Sequence, residues 1–114
     1  MFEVELPYPP SINHYWRRVG HHTLISRTGR AFRAEVVAIL ARRRVLRLDG
    51  PLEIEIDLHT PDRRRRDVDN ALKSLLDALQ HGGAYADESQ IVRLEVTKRQ
   101  PASGGKTLVR IRKV

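Results

Sequence analysis

Between Pro51 and Pro61 the chain alternates without a break: Leu52, Ile54, Ile56 and Leu58 are apolar, while Glu53, Glu55, Asp57 and His59 are polar. A period of two puts every apolar side chain on one face of a β-strand and every charge on the other. The Glu53, Glu55, Asp57 row reads as the wet face of that strand. The apolar face needs a cover, and the flanking sequence supplies one on each side. Phe32, Val36, Ile39 and Leu40 fall at i, i+4, i+7 and i+8, one face of a helix. Val68, Leu72, Leu75, Leu76 and Leu79 repeat the pattern at i, i+4, i+7, i+8 and i+11. The first helix starts near Gly29 and fades before Asp49-Gly50-Pro51, and the second stops at Gly82-Gly83.

The remaining elements are shorter. Phe2, Val4 and Leu6 alternate with Glu3 and Glu5 until Pro7, Pro9 and Pro10 end the strand. Residues 11–30 lack a period and read as a long loop with one short strand near residues 23–25. A long loop in a small domain is more often functional than idle. Within it, Tyr15 and Trp16 suit packing or a dimer contact better than stacking on exposed bases. Residues 91–98 and 107–112 are the last two strands, joined by Pro101-Ala102-Ser103-Gly104-Gly105. The order β-loop-α-β-α-β-β predicts an α+β fold, a small mixed sheet carrying two main helices. At 114 residues this is one domain, 1–114, and 5% aromatics make its core aliphatic. There is no cysteine, which excludes disulfides, thiolate zinc sites and cysteine nucleophiles. No apolar run approaches the ~20 residues of a membrane span, and Glu3 and Glu5 interrupt any signal peptide, so a cytoplasmic location is expected.

Charge narrows the function. Lys+Arg is 21 and Asp+Glu 14, a net charge of +7 with a pI near 10.5. Seventeen of those cations are arginine, whose planar fork donates two hydrogen bonds to one phosphate. A basic domain of this size points to a polyanion, most often nucleic acid.

The chemistry concentrates in Pro61-Asp62-Arg63-Arg64-Arg65-Arg66-Asp67-Val68-Asp69-Asn70. Four arginines abut two carboxylates spaced two apart at the entrance to a helix. Asp67 or Asp69 could cap that helix and complement its dipole. One cap explains one aspartate, however, and leaves the other beside a like charge. Paired hard-oxygen ligands select Mg²⁺ or Mn²⁺, the ingredients of metal-assisted phosphodiester hydrolysis. The cations of residues 63–66 would bring the phosphodiester in against the carboxylates' own repulsion. Lys73, at i+4 from Asp69, suits either a surface salt bridge or stabilisation of developing charge. Asp87-Glu88 offers a third carboxylate. The helix is ~18 Å long and seven nearly extended residues span ~23 Å, so a return to the helix start within one subunit is feasible.

Three blocks resemble the RusA-type Holliday junction resolvases: Pro7-x-Pro9-Pro10-Ser11-x-Asn13, the stretch from Pro61 to Asn70 with Lys73, and Asp87-Glu88-Ser89-Gln90-Ile91. The resemblance implies a homodimeric, Mg²⁺-dependent endonuclease of bacteria or prophages that cuts four-way junction DNA by paired symmetric nicks. It implies no organic cofactor and no membrane partner. Asp67 and Asp69 match the family's first two essential acids and Lys73 its essential lysine. Arg63, Arg64, Arg65, Arg66, Asn13 and Asn70 fall where DNA contacts are expected. The third acid matches Glu88, where the family carries aspartate in an Asp-Asp-x-Gln motif. Asp87 is its rival as metal ligand, or else an outer-shell partner or loop cap. Near a strand start only one of the two adjacent side chains would face the other acids. Competing functional readings are a non-catalytic basic nucleic-acid-binding module and a related nuclease acting on other branched DNA or RNA.

Overall fold

The computed structural model describes residues 1–114. The chain forms β1 (Phe2–Leu6), α1 (Ile12–Tyr15), β2 (Trp16–Val19), β3 (His22–Ile25), α2 (Arg27–Arg42), β4 (Leu52–His59), α3 (Val68–His81), a 3₁₀ turn at Glu88–Gln90, β5 (Ile91–Arg99) and β6 (Lys106–Lys113). Four strands make a mixed sheet in the order β1-β6-β4-β5, with β4 parallel to β5 and antiparallel to β6. The fold is α+β, as the periodicities predict.

The β4 alternation becomes the core. Leu52, Ile54, Ile56 and Leu58 are buried, and across the ladder Ile54 faces Ile111 and Ile56 faces Val109. Phe32, Val36 and Leu40 of α2 and Ala71, Leu75, Ala78 and Leu79 of α3 join them in one cluster of 18 residues. Each large aliphatic side chain buried there contributes roughly 1.5–3 kcal/mol, so this contact fixes how both helices lie on the sheet.

The opposite face is open but not merely wet. The register sets Glu53 beside Arg112 and Glu55 beside Arg110, at 2.7 and 3.4 Å. Asp57 departs from the wet-face expectation, being buried between Arg99 at 2.9 Å and Arg110 at 3.0 Å. Burial pushes its carboxyl up, but the hydrogen bonds from Arg110 and Arg99 outweigh that and hold it below the usual range.

Residues 11–30 correct the sequence reading most. They hold α1 and a separate two-stranded hairpin, β2 on β3, rather than a loop with one lone strand. Tyr15 is fully buried and donates its hydroxyl to Asp77 of α3, while half-buried Trp16 packs edge-on against it, with ring centroids 5.0 Å apart. Both aromatics serve packing. Helix α2 begins two residues before Gly29 because Ser26 caps it, its Oγ accepting from the Gly29 N–H at 2.9 Å. The helix also ends well before Asp49: Arg44 takes a left-handed conformation (φ 53°), and the Val45 N–H closes the last turn on the Leu40 carbonyl.

Candidate active site

Asp67 occupies the N-cap position of α3 with extended backbone, yet its carboxylate makes no capping hydrogen bond. Asp69 follows in the first turn. Both side chains are exposed, and neither forms a hydrogen bond or an ion pair within the chain. The capping explanation therefore does not account for them.

The cations around them are partly committed elsewhere. Arg66 forks onto Asp62, one nitrogen at 3.2 Å and the other closer, and Arg64 donates its backbone N–H to Asp62 at 2.9 Å. Those bonds, Arg66 first, pull the exposed Asp62 carboxyl down to about 2. Lys98 donates to the Arg66 carbonyl at 2.6 Å and ties the loop to β5. Arg63 and Arg65 are left exposed and without a carboxylate partner.

A cleft of about 590 Å³ opens beside this loop. Pro9, Pro10, Ser11 and His14 form one wall, and Arg65, Arg66, Asp67 and Asn70 the other. Two of the sequence blocks thus meet. Ser74, buried on α3, holds them together by donating to the Pro10 carbonyl at 2.7 Å. Asn13 is exposed on α1 and does not line the cleft.

The third block lies along the second half of α3 instead. Buried Tyr85 donates to the Leu76 carbonyl at 2.6 Å, and the Glu88 N–H donates to the Gln80 side chain at 3.1 Å. Glu88 is half-buried. Burial raises its carboxyl, Lys73 partly offsets this, and Asp77 and Asp87 add to the rise. Residues 88–90 form a 3₁₀ turn, so strand alternation does not sort Asp87 from Glu88. Hydrogen bonding sorts them: Asp87 accepts from the Ser89 N–H at 3.1 Å, and Gln90 reciprocates on the Asp87 N–H at 3.0 Å. Asp87 is thereby engaged as a loop cap. Lys73 forms no salt bridge with Asp69; its charge acts on Glu88.

The donor chemistry of Asp67 and Asp69, hard oxygens with no other partner, fits a Mg²⁺-class ion. The chain gathers no group of three acidic, cysteine or histidine side chains able to hold a metal. Sequence reasoning missed Asp77, which accepts from Tyr15 and sits 2.8 Å from Arg33. No periodicity marks such a residue, because its partners lie 62 and 44 positions away.

An uncommitted acid pair beside an arginine-walled cleft, on an α+β scaffold, is the arrangement of a protein that handles phosphodiesters. The sequence model of Endodeoxyribonuclease RusA matches residues 7–112, and the chain belongs to that family. It is 40% identical to the Crossover junction endodeoxyribonuclease RusA of Shigella sonnei over 106 residues, 92% of this chain and 88% of the relative. The rusA protein of Enterobacteria phage HK97 is 40% identical over 114 residues, covering 96% and 92%. That of Escherichia coli K12 is 39% identical over 106 residues, covering 92% and 88%.

Proposed function

We propose that this protein is a Mg²⁺-dependent endodeoxyribonuclease that resolves four-way DNA junctions, acting as a homodimer in the cytoplasm of a bacterium. The observation that carries the proposal is the pair Asp67 and Asp69, exposed, uncapped and unpaired beside the cleft. Membership of a family whose relatives are named crossover junction endodeoxyribonucleases supports the substrate.

Asp67 and Asp69 would hold the metal. The bound ion supplies Lewis-acid polarisation of the scissile phosphate and a more acidic water. Arg65, exposed in the cleft wall, draws the phosphodiester backbone towards the acids. Arg63 extends that positive surface, while the Asp62–Arg66 fork keeps the loop in shape. Lys73 offers a proton-bearing ammonium to charge developing on the phosphate or leaving oxygen. Glu88, which feels the charge of Lys73 one helical turn from Asp69, would complete the three-carboxylate set. A two-fold junction offers two equivalent scissile bonds, and a two-fold dimer presents two equivalent sites to match.

Asp67→Asn and Asp69→Asn test the assignment. Each should lower nicking by at least about 10²-fold while leaving junction binding intact or tighter, because a carboxylate facing phosphates is removed. Loss of folding together with binding, read by circular dichroism and gel shift, would make these residues structural.

A further inference from the structure

The positive charge is divided unevenly along the chain. Residues 7–50 carry nine arginines against two acids, Glu35 and Asp49, so the whole net charge of +7 resides there. On the open sheet face the arginines are neutralised: Arg93, Arg99, Arg110 and Arg112 each sit within 4 Å of a carboxylate. Among the nine, only Arg33 has such a partner. Arg17 and Arg18 of β2, with Arg27 and Arg30 at the start of α2, are exposed and unpaired by any acid.

These residues are carried on a projecting ribbon. Every residue from Arg17 to Leu24 is exposed, and the β2–β3 hairpin is a sheet of its own. Its root is nonetheless fixed. The Ser26 N–H donates to the Tyr15 carbonyl at 2.8 Å, and the Ser26 hydroxyl donates to the same oxygen at 3.0 Å. Tyr15 in turn donates to Asp77, one helical turn beyond Lys73. The register sorts the faces. Trp16 and Ile25 lie opposite each other and pack against the core, with Arg18 and Thr23 beyond them on the same face but exposed, whereas Arg17 with Leu24 and Val19 with His22 occupy the other face. That outward face sets Arg17 beside apolar groups, Val19 being 46% and Leu24 44% exposed. Apolar side chains are kept out of water where they can be, and the ribbon cannot bury these alone.

We propose that the β2–β3 hairpin is a second DNA-binding element, separate from the cleft, that lies along one duplex arm of the junction with Arg17 and Arg18 on its phosphates. Arg27 and Arg30 extend the contact at the hairpin's base. A two-stranded ribbon has the width to enter the major groove of B-form DNA, where Arg17 and Arg18, one on each face, reach for the charged rims and Val19 and Leu24 meet the less polar floor. The inference rests on the reading of the protein as a junction-binding nuclease.

The test is the salt dependence of binding to a labelled four-way junction, followed by fluorescence anisotropy across a potassium chloride series with magnesium replaced by calcium. Arg17→Gln/Arg18→Gln is compared with Arg93→Gln/Arg112→Gln, which removes the same charge from the open sheet face; thermal melts confirm that both variants fold. The log–log slope should flatten by about 0.9 for each phosphate that is no longer neutralised, at least ~1.8 for the hairpin variant, and stay near the parent value for the control. An unchanged slope in the hairpin variant, or an equal change in the two variants, overturns the inference. If the parent binds and nicks junctions while the hairpin variant keeps its slope, this inference fails and the proposed function stands. If the parent does not bind junctions, both fail.

Discussion

Glu88 is half-buried among groups that disfavour its charge. Its folded-state carboxyl is raised, by burial first and then by Asp77 and Asp87 against the offset of Lys73. A raised acid favours folding fully below its unfolded value, and that contribution is lost as pH climbs through the folded value. At neutral pH the ionised Glu88 therefore works against the resting fold. Glu88→Gln should raise Tm at pH 7 by about 2 °C and raise it less as pH falls towards 4, the direction in which the raised carboxyl takes up its proton. Junction nicking by the same variant should be almost lost, and Glu88→Asp, the aspartate of the family pattern, should remain active. Calorimetry at the two pH values checks the first half. A lower Tm at pH 7 would mean that the ionised carboxylate stabilises the resting fold instead. Asp87, tied into its capping box, should behave differently, losing stability rather than chemistry when changed.

Among the elements, α2 and the hairpin root are locked by one close approach. A Cβ built on Gly29 would lie 2.4 Å from the Tyr15 carbonyl oxygen and 2.8 Å from Ile25 Cγ1. In an open helix Gly→Ala gains up to about 1 kcal/mol, but here the backbone of α1 must retreat. Gly29→Ala should instead cost about 1–3 kcal/mol in urea unfolding, and a neutral or stabilising result would show the root to be loose. The same elements mark where the sequence stops being legible. Strands β1, β4 and β6 and helices α2 and α3 are readable because each buries one face, and burial of one face writes a period into the sequence, whereas β5 keeps its alternation with no residue buried. The β2–β3 hairpin buries neither face beyond its first pair, so Arg17-Arg18-Val19 and His22-Thr23-Leu24 carry no alternation. The end of α2 is hidden too, since Arg44 adopts its left-handed conformation without the glycine that usually announces it. At the site, the acid pair and the arginine run are local in sequence and readable. The placement of Glu88 along α3, the capping role of Asp87 and the Tyr15–Asp77–Arg33 cluster depend on contacts between distant residues, which spacing cannot supply.

On the scale of the whole molecule, the two sides of the sheet differ in charge. The open face pairs its arginines with Glu3, Glu53, Glu55, Asp57 and Glu95 and so presents little net field. The helical side holds the surplus cations, the cleft and the uncommitted acids. Such a division steers a polyanion to one side before any specific contact forms. No helix is long and apolar enough to cross a membrane. The central claim, metal-dependent cutting of four-way junctions, is tested most directly by incubating the purified protein with a mobile four-way junction, a flap and a linear duplex. Strand-specific end labels report each cut, with Mg²⁺ present or chelated. The account predicts paired nicks at symmetry-related positions in the junction only, and none without the metal. Equal cutting of flap or duplex, or cutting that survives chelation, would contradict it.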